Sequence, residues 1–161
     1  FGLSLPRSGH LDDHQQRSNL NRHDMILDNF HIRSCYADTD AAGVIHHARY
    51  LEFFERSRTE WLDRLGAGPT ELEGKLGYVL VIRETTLAFR QPGRLNDQLV
   101  FSHEVTHKGR SQLTLVQKVY RTPTDGSTIE EDANLLVTAT FHLVCVDTQA
   151  MKSTALPDVF N

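Results

Sequence analysis

The chain has 161 residues, 39% of them apolar and 24% charged, which is enough for one hydrophobic core and too little for two independent domains. Twenty-one acids against 17 bases give a formal charge of -4, and the bases are scattered, which argues against nucleic acid as the main partner. The longest apolar run, around Tyr78 to Ile82, is far below the roughly 20 residues a membrane helix needs, so no membrane span is expected.

Residues 1–24 are rich in Ser, Arg, Asn, Gln, His and Asp and show little periodicity. They are expected to form a polar tail, disordered or added upstream of a natural start at Met25, with the folded domain over 25–161. No leader pattern opens the chain, and Cys35 and Cys145 form no C-x-x-C pair, so a reducing cytoplasm is the expected setting. Both thiols are expected as small buried groups within strands.

Asn29 to Tyr36, with Phe30, Ile32 and Tyr36, reads as a first strand. Between Ala48 and Leu65 the period changes. Tyr50, Leu51, Phe53, Phe54, Trp61, Leu62 and Leu65 fall on one side at about 100° per residue, which predicts an amphipathic helix. Its apolar arc is wider than the ~100° stripe of a helix lying on a flat surface, so a partly wrapped helix is expected. Arg58 falls inside that arc, and a carboxylate partner is expected for it. Gly66, Gly68 and Pro69 supply the stop.

A loop through Gly74 and Gly77 then leads to four long strand-like segments, Tyr78 to Phe89, Gln98 to His107, Gln112 to Tyr120 and Ala133 to Val146. Alternation is clearest at Val137, Ala139, Phe141, Leu143 and Cys145. The joins at Gln91 to Asp97, Lys108-Gly109-Arg110 and Thr122 to Gly126 are turn-like. One strand, one helix and four strands on tight turns predict an α+β fold, an antiparallel sheet of about five strands curled around a single helix, the layout called the hotdog fold.

Chemistry is expected in Y-A-D-T-D-A-A-G-V-I-H-H, residues 36–47. As a calcium loop it fails, because Ala42 occupies a ligand position and Arg49 stands where the bidentate Glu belongs. His46 and His47 lack the H-x-x-x-H or His/Cys company of a metal site, and no Ser sits in G-x-S-x-G. What remains is a carboxylate seven residues before the start of a long helix, with Gly43 allowing the chain to turn. No usual capping residue stands at His46 or His47, so free N–H groups at the helix start could hold a carbonyl oxygen that turns negative. A nearby carboxylate could attack the carbonyl carbon or deprotonate water.

Y-x-D-T-D-A-x-G-V-x-x-H-x-x-Y followed by F-F-E-R-S-R-T-E-W-L resembles the hotdog acyl-CoA thioesterases of the 4-hydroxybenzoyl-CoA and YbgC type, and the resemblance extends to M-K-S-T-A-L-P, covering about Asn29 to Pro157. It implies thioester hydrolysis to a free acid and CoA, with Asp40 as nucleophile or general base and Asp38 as a structural acid. It further implies the His47 backbone N–H as oxyanion contact, and the His47 and Tyr36 side chains as active-site groups of the YbgC branch. Lys108 and Arg110 match a turn that touches the CoA nucleotide, with Arg90 and Arg94 as further candidates and Gly43 as a backbone contact to substrate. No cofactor or metal is implied beyond the CoA of the substrate itself. The partners implied are an acyl-CoA, with acyl-carrier protein as a second donor, and further copies of the chain in a homodimer or homotetramer. Two other functions fit the fold: a non-catalytic acyl-CoA or acyl-carrier-protein binding module, and a hotdog hydratase or dehydratase.

Overall fold

The computed structural model describes residues 27–160, so the tail predicted over 1–24 lies outside the described residues. Strand β1 is Leu27–Arg33, helix α1 Arg49–Arg64, β2 Tyr78–Phe89, β3 Gln98–Lys108, β4 Gln112–Arg121, the short helix α2 Glu131–Asn134, β5 Leu135–Asp147 and β6 Lys152–Ser153. Neighbouring strands are antiparallel throughout, in the order β1-β3-β4-β5-β2, with β6 pairing β5. This is the expected α+β hotdog arrangement.

Register explains the core. Val119, Gln117, Leu115 and Leu113 of β4 lie directly opposite Val137, Ala139, Phe141 and Leu143 of β5, so one face of the sheet becomes a buried row that is apolar except at Gln117. All eight side chains are buried, and full burial of each large apolar one contributes about 1.5–3 kcal/mol. Across from them α1 buries Tyr50, Phe53, Phe54, Ser57, Arg58 and Leu62, a spacing of three and four that follows the helical period. Leu51 and Leu65, both within the predicted apolar arc, are 40% and 37% exposed, so this single chain covers less of the helix than the arc suggested.

Arg58 corrects an expectation. Its Nη1 donates to Oε1 of Gln117 at 2.8 Å and its guanidinium lies 4.7 Å from the centroid of the Phe141 ring; among the described residues no carboxylate forms a close ion pair with it, and Glu55 acts on it only through its charge. Gln117 in turn donates to the Phe54 carbonyl and the Ser57 hydroxyl, both at 3.1 Å. A neutral amide and a π face thus replace the acid, giving the charge one hydrogen bond and one cation–π contact. One turn on, His103 of β3 stacks on Trp61 with ring planes 2° apart, and its Nδ1 is 3.5 Å from Asp28, which also pairs with Arg64.

Other boundaries moved. The first strand ends at Arg33, because Ser34 turns away to bond Asp97 and Arg94, and Tyr36 opens a single 3₁₀ turn with its side chain 83% exposed. Cys35 is therefore exposed and outside any strand, whereas Cys145 is buried in β5, and both thiols are free. Thr70–Leu76 forms a turn of π-helix where a loop was expected, and β5 starts two residues late because 131–134 coil into α2.

The edge strand β2 is poorly covered. Val81 and Ile82 are each 45% exposed and Phe89 is 53% exposed, along a strand paired on one side only. Among the described residues no helix is long and apolar enough to cross a membrane.

Candidate active site

The residues of D-T-D-A-A-G-V-I-H-H close into one small hairpin at the end of the sheet where β1 stops and α1 starts. Thr39 bridges Ile45, the Asp40 N–H donates to the Val44 carbonyl at 2.9 Å, and the Gly43 N–H returns to the Asp40 carbonyl at 3.0 Å. Gly43 sits at φ +73° with open space around it, so it is the left-handed backbone, and not crowding, that calls for glycine there. Ile45 anchors the hairpin: it is buried, and its N–H donates to the Gly93 carbonyl at 2.8 Å.

The two acids of the motif have opposite surroundings. Asp38 is 5% exposed; its Oδ2 accepts the Cys35 N–H at 2.9 Å and its Oδ1 accepts Nε and Nη2 of Arg49 at 3.0 and 2.9 Å. Burial pushes its carboxyl pKa up, but the Cys35 and Arg49 contacts outweigh that and hold it below the usual carboxylate range. Asp40 is exposed at the hairpin tip, where Oδ1 accepts the Ala42 N–H at 2.8 Å; Oδ2 has no partner among the described residues.

The helix start is also asymmetric. α1 begins at Arg49, two residues later than the amide at His47. The His46 N–H donates to the Asp38 carbonyl at 2.8 Å, and the Ala48 N–H donates to Nδ1 of His46 at 3.2 Å. Between these two occupied amides, the His47 N–H has no acceptor among the described residues. The His46 ring thus holds the residue just before the helix, in the tautomer that leaves Nδ1 unprotonated, and lies tilted against the His47 ring at 4.2 Å. Nothing in the sequence singled out His46 for this, because a ring bond to the amide two residues on leaves no mark in the pattern.

Beside His47 an open groove of about 290 Å³ is lined by Val44, Ile45, Tyr50, Phe89, Arg90, Gln91 and Pro92. Its floor is closed where the Gly93 N–H donates to the Tyr50 hydroxyl at 3.2 Å, and a Cβ on Gly93 would stand 2.5 Å from Ile45 and 2.6 Å from Tyr50. The groove is thus a mainly apolar slot with one basic side chain, Arg90, in its lining; Arg94 is bridged to Val44 of the same lining.

The remaining candidates separate. Tyr36 is on the turn that precedes the hairpin, but its exposed ring makes no hydrogen bond to Asp40. Lys108 and Arg110 lie at the other end of β3, roughly 30 Å along the strand at ~3.3 Å per residue, and Lys108 donates to the Phe160 carbonyl. Within one chain they do not meet Asp40 or His47.

A curled antiparallel sheet on one long helix defines the hotdog fold. The sequence profile of the thioesterase-like superfamily matches residues 36–161. The acyl-CoA thioester hydrolase YbgC of Escherichia coli O6:H1 is 35% identical over 126 residues, 78% of this chain and 87% of that one. The acyl-CoA thioesterase YbgC of Haemophilus influenzae is 33% identical over 135 residues, 82% and 92% of the two chains. A probable thioesterase from Bartonella henselae superposes with a TM-score of 0.62 at 27% identity, covering 81% of this chain and 98% of that one. The chain belongs to the thioesterase-like superfamily and is a thioester hydrolase of the YbgC type.

Proposed function

We propose that the protein hydrolyses acyl-CoA thioesters, with Asp40 as nucleophile or general base and the His47 N–H as the donor that receives the thioester carbonyl oxygen. The observation that carries this reading is the pattern of amides at the helix start: those of His46 and Ala48 are taken, and the one between them is open. A preorganised N–H aimed at a developing oxyanion is worth about 3 kcal/mol of barrier. Asp40 supports it with one unengaged oxygen on the same hairpin. In this reading the carbonyl oxygen rests on the amide and the CoA thiolate leaves as the carbon is attacked. The attacker is either a water that Asp40 deprotonates, which gives the free acid directly, or Asp40 itself, in which case water then cleaves the acyl–Asp40 anhydride to the free acid and restores the carboxylate. The acyl group lies in the apolar slot of Tyr50 and Phe89, and Arg90 faces the CoA side.

The separation of Lys108 and Arg110 from the groove is resolved by a dimer. Pairing β2 with β2 of a second copy about a two-fold axis covers Val81, Ile82 and Phe89, and it reverses strand direction, so the second copy presents its β3–β4 turn at the end of the sheet where Asp40 lies. At about 4.8 Å per strand that turn stands roughly 15–20 Å across the sheet from the groove. The phosphates of CoA, an extended pantetheine arm away from the thioester, then reach Lys108 and Arg110 of the other subunit.

Thiol release from short, medium, long and aromatic acyl-CoA esters, and from an acyl-carrier-protein thioester, tests the activity. Release from at least one CoA ester is expected; tight acyl-CoA binding without release from any of them, or water addition to an enoyl-CoA in its place, overturns the reading. Ile82→Asp is expected to give a monomer in sedimentation with impaired turnover, and a monomeric parent protein would overturn the dimer.

A further inference from the structure

Arg49, the first residue of α1, is the described side chain that joins the turn before the Asp40 hairpin to the helix after it by an ion pair. Its Nε and Nη2 both reach Oδ1 of Asp38, and its Nη1 reaches Glu52 at 2.6 Å. The hairpin enters at Asp38 and leaves at His46, and those two residues are themselves tied by the His46 N–H to Asp38 carbonyl bond at 2.8 Å. Asp40 to Gly43 are exposed at the tip and have little packing to fix their place.

We propose that Arg49 is a positioning residue of the hydrolase: by holding Asp38 it sets the separation between the Asp40 carboxylate and the His47 N–H. This rests on the roles of Asp40 and His47 proposed above. The reasoning is mechanical. Asp38 is buried and its carboxylate is held on both oxygens, so the base of the hairpin is rigid while the ion pair stands. Remove the guanidinium and the Asp38 charge loses two of its three hydrogen bonds, the carbonyl that orients His46 is released, and both reacting groups shift relative to each other. A displacement of about 1 Å between reacting groups costs on the order of 100-fold in rate. Lys keeps the charge but brings one compact donor group in place of two fixed ones, so it restores only part of the hold.

Steady-state kinetics on the full chain test this with Arg49→Met and Arg49→Lys, using whichever acyl-CoA ester the parent protein turns over, together with amide hydrogen exchange at His46. Arg49→Met is expected to lower kcat by about 10–100-fold with KM within about threefold, with partial recovery in Arg49→Lys. The His46 amide is expected to exchange at least about tenfold faster while amides of β4 and β5 keep their protection. Asp38→Asn added to Arg49→Met is expected to cost little more, since the two act as one unit. Unchanged kcat, or a change confined to KM with His46 exchange unaltered, overturns the proposal. If the parent protein cleaves no thioester, the reading of the site fails instead, and His46 exchange alone decides the brace: unaltered exchange in Arg49→Met overturns it.

Discussion

The two ends of α1 use polar residues in opposite ways. In its C-terminal half the helix carries Ser57 and Arg58 against the sheet, where Gln117 and the Phe141 ring receive them out of water, while the exposed Arg64 reaches in to Asp28 from the rim. At its N-terminal end Asp40 and His47 are exposed and each leaves one group open, a carboxylate oxygen and an N–H, beside an apolar slot. A buried polar group costs free energy unless it is matched, so the first set serves packing and orientation. Groups left unmatched at the surface cost the fold little and remain available to a substrate, which is what the second set offers.

The contrast can be broken at the buried end first. Arg58→Ala removes a guanidinium, leaves the Gln117 amide short of a partner and opens space beside Phe141, and is expected to lower unfolding free energy by about 3 kcal/mol in urea melts. A loss below about 1 kcal/mol would show that the buried network is dispensable.

Next in size is a pH effect at His103. Burial lowers its pKa to about 4, with Asp28 working upward against it and Arg64 and Arg58 reinforcing the decrease. The unfolded imidazole titrates near 6.5, so as pH falls the unfolded chain takes up the proton first. The His103 contribution is therefore full above about pH 6.5, declines as pH falls from there to about 4, and is lost below that, a change of up to about 3 kcal/mol. His103→Phe should flatten the slope of stability between those two pH values, and an unaltered slope would place the titration elsewhere.

Smallest is the His46 ring contact at the open end. His46→Ala removes the acceptor of the Ala48 N–H and is expected to cost about 1 kcal/mol of stability, the worth of one net hydrogen bond. With it should come a severalfold decrease in kcat as the neighbouring amide loses its orientation. A stability loss without any change in turnover would reduce the ring to a structural contact.

Much of this was legible in the sequence, for physical reasons that also mark where it stopped. The predicted helix bounds, 48 and 65, each lie within one residue of α1, because a 3.6-residue period over four turns leaves little freedom. The edge of the first strand was not legible: Tyr36 is apolar enough to continue it, and only the bonds from Ser34 to Asp97 and Arg94, some 60 residues on, turn the chain away. Local pattern also could not separate Asp38 from Asp40, since the distinction comes from Arg49, 11 residues further, and from burial. Arg58 was recognised as buried but given the wrong kind of partner, because an amide and an aromatic ring leave no charge signature. The distance of Lys108 from the hairpin could have been read, since successive turns of an antiparallel meander fall at opposite ends of a sheet.

The central claim, that the open acid does the chemistry and the buried acid holds the frame, is tested most directly by comparing Asp40→Asn and Asp38→Asn side by side. Thiol release from an acyl-CoA ester and thermal unfolding should be measured on both proteins. Asp40→Asn is expected to abolish turnover, by about 1000-fold or more, with stability changed by no more than about 0.5 kcal/mol. Asp38→Asn, which weakens a buried ion pair, is expected to lower the melting temperature clearly and to keep measurable turnover. Turnover that survives in Asp40→Asn would contradict the account, whatever Asp38→Asn does.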